Sequence, residues 1–170
     1  MQKALWRFSG NDSTIEFKIK YYKISNITGR FNDFIGSVAA DEQFSYADIS
    51  ATIKSHSVDT SHEQTNRRLV SANCLDVLRH QAINFVAING CKRSEGNIRE
   101  ITGFLTIKDL TAEITLVVNY STVKKGPQGP IMVFGLFGTL NKQDFNISVR
   151  DDNMDSSIQI TAKIELVKSV

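Results

Sequence analysis

The chain has 170 residues, of which 41% are hydrophobic and 22% are charged, and its formal net charge at pH 7 is +2. This length and composition are typical of one self-sufficient globular domain over residues 1–170, and they exclude a disordered chain or a fibrous repeat. Twenty basic residues against 18 acidic ones provide no broad positive surface for a phosphate backbone, so we expect no nucleic-acid partner.

The sequence gives no targeting or disulfide signal. Its opening residues lack a long apolar run and a small-residue cleavage site, and no stretch reaches the roughly 18 apolar residues of a membrane-spanning helix. We therefore expect no membrane span and a cytoplasmic protein, or a periplasmic one if an export signal has been removed. Cys74 and Cys91 lack C-x-x-C spacing, which predicts buried, reduced thiols, although whether they ever pair stays open.

Alternation of apolar and polar residues predicts strands in the first third of the chain. A short strand at Ala4–Ser9 ends in the turn signal S-G-N-D, and a clearer one follows at 15–21. Within 27–38, Gly29 and Gly36 predict bulges or close backbone approaches in one bent strand. After a turn at 41–48, alternation resumes at 49–54.

The stretch 57–85 breaks this pattern. Thr60 and Glu63 have the spacing of a capping box, which predicts a helix over 61–70, and Asn73 with Asp76 offers a weaker second box. Leu69 is one of only two large apolar residues in that helix, so we expect the helix to lie on the surface, either as a lid or as a plain connection.

Strand patterns return in the second half of the chain. A hairpin turn is predicted at 93–97 and a tight connection at 109–112. A proline-containing hairpin loop is predicted at 124–130, where Pro127 suits a β-turn. The predicted strands are 83–90, 101–108, 113–120, 131–140 and 157–167.

About eight strands in hairpin order, without alternating helices, predict an antiparallel barrel or sandwich. The barrel is favoured because both terminal strands alternate strongly, and open edges would invite aggregation. The expected fold is all-β, an eight-stranded antiparallel barrel with one or two short helices between the middle strands. Such a barrel has room either for packed side chains or for one small ligand.

Four stretches resemble one known family. I-E-F-K-I-K-Y with I-S-N-I-T-G-R-F-N-D-F-I-G is similar to the N-terminal signature of the YceI-like polyisoprenoid-binding proteins, and S-V-D-T, L-V-S-A-N-C-L-D-V and I-N-F resemble its central motif. G-F-L-T-I-K-D-L-T and G-T-L-N-K-Q-D-F-N-I resemble its later signatures. Aligned without gaps, the family's Arg-Asp, His, Phe-Phe and Tyr-Pro positions fall here at Thr65-Asn66, Arg68, Cys74-Leu75 and His80-Gln81.

The resemblance implies a lipocalin-like barrel whose interior holds a long-chain isoprenoid or similar amphiphilic lipid, such as a quinone or a prenyl pyrophosphate. It implies a binding protein that carries or sequesters this lipid, not an enzyme, with the helical segment near the barrel mouth. Dimers are common among such proteins, so a homodimer is one state to test. The lipid is expected as the ligand, with no further cofactor.

Two sets of side chains are candidates for contact with the lipid. Arg67, Arg68, Arg79 and His80 form the densest basic cluster and would suit an acidic head group at the mouth, although a solvated helix face is the simpler explanation. Apolar strand residues would line the cavity, or alternatively fill the core. These are Phe17, Ile19, Phe31, Phe34, Phe85, Leu105, Ile107, Phe134 and Phe137.

The sequence supports a metal site or a catalytic site less well than a lipid-binding site. His56, His62 and His80 have no H-x-x-x-H or H-x-E spacing, so we expect no metal site. Ser57, Asp59 and His62 lie within one short stretch that has neither a nucleophile elbow nor an oxyanion-hole signal, so we expect no catalytic residue. Three hypotheses remain: a lipid carrier, a structural or interaction protein of the same fold with a filled core, and a hydrolase that acts on isoprenoids.

Overall fold

The computed structural model describes residues 3–21, 26–44, 46–94, 97–148 and 154–169. Short 3-10 helices lie at Ser55–Ser57 and Lys142–Phe145, and one α-helix, α1, spans Glu63–Val70. The strands are β1 (Ala4–Ser9), β2 (Thr14–Tyr21), β3 (Asn26–Phe31), β4 (Phe34–Ala40), β5 (Ala47–Lys54), β6 (Val58–Asp59), β7 (Ala82–Ala87), β8 (Cys91–Ser94), β9 (Asn97–Ile107), β10 (Leu110–Gly126), β11 (Gly129–Asn141) and β12 (Met154–Lys168).

These twelve segments form the eight strands of one closed antiparallel barrel. β1 and β2 pair with the same edge of β12, through Trp6 with Lys168 and Thr14 with Lys163, so together they make one interrupted barrel strand. β3 with β4, β5 with β6 and β7 with β8 form interrupted strands in the same way. Neighbours in sequence are neighbours in the barrel, and β12 against β1 closes it, which confirms the predicted fold class.

Three of the interruptions lie side by side across the wall. The N–H of Gly10 donates to the carbonyl of Phe34 at 3.0 Å, and the N–H of Lys54 donates to the carbonyl of Asp33 at 2.9 Å. The predicted bent strand at 27–38 is therefore one barrel strand that breaks between Phe31 and Phe34. The backbone at Gly36 lies close to the ring of Phe8, as expected, because a Cβ there would collide with that ring.

The hairpins confirm most of the predicted connections. β10 and β11 meet at a tight turn between the paired Gly126 and Gly129, within the predicted loop. The turn between β9 and β10 is shorter and earlier than expected, because Ile107 already pairs with Leu110. Residues 95 and 96 of the predicted turn at 93–97 lie outside the described residues.

Both predicted capping boxes are wrong. The helix begins at Glu63 after His62, which has no side-chain cap. A positive φ of 66° at Ser61 redirects the chain, so that the hydroxyl of Thr60 donates to Oδ1 of Asn66 at 2.7 Å. Residues 72–79 form turns instead of a second helix, and Asp76 there has a φ of 49°.

Candidate functional site

The barrel interior contains a cavity of about 210 Å³. Every residue that lines it is aliphatic, aromatic or cysteine, because the inward parity of each strand carries the apolar residues of the alternating pattern. The cavity is larger than the roughly 150 Å³ engineered apolar cavity that stays dry and binds benzene. It can therefore accept an apolar group without a polar partner.

Seven of the nine residues predicted to line the cavity do so, namely Phe17, Ile19, Phe31, Phe85, Leu105, Ile107 and Phe134. Phe34 lies on the inward face of β4 and is buried in the core, with its ring 6.3 Å from that of Phe8, but it does not line the cavity. Phe137 pairs with the exposed Thr161 and lies on the outward parity of β11. Whether the seven lining residues contact a ligand stays a prediction.

Sequence reasoning missed lining residues that strand alternation could have supplied, such as Ile114 and Leu116 on β10 and Ile158 on β12. It could not supply Leu69, Leu75 and Cys74, which belong to no strand and yet line the cavity. The apolar character of L-V-S-A-N-C-L was the available signal for these three.

One end of the barrel is closed by an aromatic cluster. The turn between β4 and β5 brings the ring of Phe44 to 5.5 Å from Trp6 and 5.8 Å from Phe134, measured between ring centroids. Such tilted pairs add a modest stabilisation to the burial of the rings themselves. We call this closed end the aromatic end.

The other end is covered by residues 69–80, which we call the lid segment. Leu69, Cys74 and Leu75 point their side chains into the cavity, and Ile147 joins them from the segment that follows the second 3-10 helix. The helix α1 itself is mostly exposed, with Leu69 its buried residue. The lid is therefore formed mainly by the turns after α1, not by the helix.

The side chain of Cys74 forms part of this apolar surface, and its thiol also feels the charges of two lysines. Burial raises the pKa of Cys74 from 9.0 to about 11, and the ammonium groups of Lys108 and Lys142 act in the opposite direction. Lys142 is only 7% exposed, and Nζ of Lys108 donates to the carbonyl of Asn146 at 2.7 Å. Both lysines lie in the two later stretches that resemble the family's signatures, but no sequence pattern places them near Cys74.

The four residues predicted for the head group do not converge on one point. Arg67 is bound to Glu63 on the helix surface, with 2.6 Å between the charged atoms. Arg79 and His80 lie by Asp76, and Nδ1 of His80 is 3.7 Å from Oδ1 of Asp109. Arg68 lines a separate polar cleft against β3. Contact of any of the four with a ligand stays a prediction.

Two of the three residues in the catalytic hypothesis, Ser57 and Asp59, are hydrogen-bonded to other groups. The hydroxyl of Ser57 donates to the carbonyl of Lys54 at 2.7 Å. The carboxylate of Asp59 accepts from the N–H of Ser61 at 2.9 Å and from the side chain of Asn66, and these bonds lower its pKa. Within the described ranges, no three His, Cys, Asp or Glu side chains are grouped as metal ligands would be.

The only helices in the described part of the chain are short, and none has the length and apolar character needed to cross a bilayer. The fold and the cavity thus define a class: a closed up-and-down β-barrel of the lipocalin-like kind, with an apolar pocket inside. A family model described as the YceI-like domain matches residues 6–166. The chain belongs to the YceI-like family, which confirms the resemblance noted in its sequence.

Curated relatives match nearly the whole chain. A UPF0312 protein of Pectobacterium atrosepticum is 32% identical over 94% of this chain and 83% of its own length. A UPF0312 protein of Pseudomonas aeruginosa is 30% identical over the same shares. Both relatives thus correspond to this chain over most of their length.

Solved structures support the same fold. BcnA of Burkholderia cenocepacia superposes with a TM-score of 0.78 at 20% identity, covering 92% of this chain and 97% of that one. A polyisoprenoid binding domain from Saccharophagus degradans superposes with a TM-score of 0.67 at 11% identity, covering 99% and 100%. At these identities the likeness concerns the fold alone.

Proposed function

We propose that this protein binds a long-chain isoprenoid or a similar amphiphilic lipid, such as a quinone or a prenyl pyrophosphate, with the tail inside the barrel, and that it carries or sequesters that lipid. The observation that carries the proposal is the wholly apolar lining of the interior cavity. Membership of the YceI-like family and the likeness to a polyisoprenoid binding domain of another organism support it.

The tail supplies most of the affinity in this proposal. Burial contributes about 0.8 kcal/mol per methylene, or roughly 4 kcal/mol for a five-carbon prenyl unit before entropy losses. Scaled from the benzene-binding cavity, 210 Å³ holds about eight carbons, close to two prenyl units. A longer tail therefore requires the lid segment to move or the ligand to extend beyond the cavity.

Mass spectrometry tests the proposal directly. The protein is purified gently and measured in its native state, and its lipids are then extracted and identified. We expect a bound species with a long apolar tail, and the same measurement reports whether the protein is a homodimer. Recovery of no lipid, together with no binding of added prenyl lipids, would overturn the proposal.

A pair of substitutions on one strand separates the lipid-binding barrel from a barrel with a filled core. Leu105 is 7% exposed and faces the cavity, whereas its neighbour Phe104 is 54% exposed on the outer surface. We expect Leu105→Trp to fold and lose lipid, because the indole occupies the cavity, while Phe104→Trp keeps lipid. Unfolding of Leu105→Trp alone would favour the filled core.

We further propose that the protein acts as a binding protein without turnover, in the cytoplasm or, if exported, in the periplasm. The hydrolase hypothesis requires His62 or His80 to act on a prenyl pyrophosphate. Release of phosphate by the purified protein, abolished by His62→Ala or His80→Ala, would contradict the proposal. Cell fractionation reports the compartment.

A further inference from the structure

Among the residues that the structure describes, the first half of β3 has a strand, β2, on one side only. β3 pairs with β6 only through Arg30 with Asp59 and Phe31 with Val58, and β6 ends at Asp59. In the described chain, residues 26–28 pair with β2 on one side, and on the other side they face the beginning of α1. A polar cleft of about 580 Å³ opens between them.

Hydroxyl and amide side chains dominate this polar cleft, and Arg68 is the one permanent cation among the described residues that line it. The lining residues are Asn26, Ile27, Thr28, Thr60, Ser61, His62, Glu63, Gln64, Thr65 and Arg68. Glu63 is bound to Arg67, whereas Arg68 is half-buried and makes no ion pair with any residue that the structure describes. The cleft thus contains an uncompensated guanidinium among donors.

The same segments separate the polar cleft from the apolar cavity. Leu69, the residue after Arg68, is buried and lines the cavity, and Val58, two residues before Thr60, lines it as well. The partition is therefore a single layer of chain. Val58 belongs to β6, which pairs with β3 through Phe31, whereas Leu69 at the end of α1 belongs to no strand, so this part of the layer lies outside the sheet.

We infer that the polar cleft is the head-group subsite for the lipid whose tail fills the cavity, and that Arg68 binds an acidic head group, a phosphate or a carboxylate. This inference rests on the proposed function. A guanidinium binds such oxyanions through two parallel N–H donors, and the hydroxyls of Thr28 and Thr65 supply further donors. Arg67, Arg79 and His80 do not belong to the subsite, because they do not line the polar cleft and each lies beside a carboxylate.

Two ligands with the same tail test the subsite, geranyl monophosphate and geraniol, with binding measured by calorimetry. We expect the wild-type protein to bind the phosphate about tenfold or more tightly than the alcohol, as one hydrogen bond to a charged group would give. Arg68→Gln should abolish this preference and leave geraniol binding unchanged. Arg68→Lys, which keeps the charge but loses the paired donors, should retain part of it.

Arg79→Gln is the matched control, because it removes a guanidinium that lies beside Asp76 and outside the polar cleft. It should leave both affinities unchanged. If Arg68→Gln weakened both ligands equally, or if the wild type bound both equally, the head-group inference would be wrong while the proposed function stood. Failure of both ligands to bind would overturn both proposals.

Inorganic phosphate is the third probe, since it shares the head-group chemistry without the tail. We expect it to bind far more weakly than geranyl monophosphate and to be displaced by it. If inorganic phosphate bound as tightly as the lipid, the polar cleft would be a site for free anions, and the assignment to a lipid would fail.

Discussion

The backbone N–H of Ser148 donates to the carbonyl of Asn73 at 2.8 Å. This bond connects the two segments that cover the lid end of the cavity, one after α1 and one after the second 3-10 helix. It lies beside Cys74, whose side chain forms part of the cavity wall. The opening of this cover can be tested by removing the bond.

Removing this hydrogen bond should loosen the lid segment. Ser148→Pro lacks the donor, whereas Ser148→Ala keeps it, so the two variants form a matched pair. We expect amide hydrogen exchange at Leu75 and Val77, which donate within the lid segment, to rise about fivefold in Ser148→Pro, as a loss of about 1 kcal/mol implies. Equal exchange in both variants would show that this bond does not hold the lid.

The aromatic end offers a spectroscopic test, because Trp6 is the only tryptophan in the chain. Phe44→Ala removes the ring that lies 5.5 Å from it. We expect a shift of the Trp6 emission to longer wavelength and a loss of about 3 kcal/mol in the free energy of unfolding. Tyr46→Ala, an exposed neighbour on the same turn, should change neither quantity.

The close approach of Gly36 and Phe8 can be measured by a double-mutant cycle. Gly36→Ala adds a methyl group that collides with the Phe8 ring, and we expect a destabilisation of about 1–3 kcal/mol from overpacking. Phe8→Leu removes the far edge of the ring, so the double variant should lose less stability than the two single effects added together. Simple additivity in urea unfolding would argue against this contact.

Cys74 should make stability depend on pH in the alkaline range. Its pKa is 9.0 in the unfolded chain and about 11 in the folded protein, because burial favours the neutral thiol. The unfolded state therefore releases the proton first, and stability is complete below pH 9 and falls between pH 9 and about 11. We expect this loss to be about 2 kcal/mol smaller in Cys74→Ala at pH 11. Parallel urea-midpoint profiles for the two proteins would contradict it.

Alternation of apolar and polar residues predicted most of the strands, because a period-two pattern assigns each strand residue to one face of the sheet. It placed β1 at its observed bounds, and it identified the lining residues Phe17 and Leu105. The same reasoning assigned Phe137 to the wrong face, because β11 has apolar residues on both faces around Gly135 and Gly138. In such a strand, composition does not distinguish the inner face from the outer one.

The lid end was harder to predict, since its structure depends on contacts between segments distant in sequence. The turn at Ser61 lets the hydroxyl of Thr60 donate to Asn66. No local pattern indicates this turn, whereas the spacing of Thr60 and Glu63 indicates a capping box. Lys108 and Lys142 reach Cys74 only after β9, β10 and β11 are assembled. Arg68 differs from Arg67 only in the direction in which α1 presents it.

The closure of the barrel bears on the order in which the chain folds. Its final pairing joins β1 to β12, and the Glu165 N–H that donates to the hydroxyl of Ser13 bridges 152 positions of sequence. The hairpins from β9 to β12 involve short-range contacts and can form early, whereas this closure must await both ends of the domain. Folding dominated by such long-range pairing takes milliseconds to seconds. During that interval β1 and β12 expose free edges, and this seam is where we expect wrong pairing with other chains to begin.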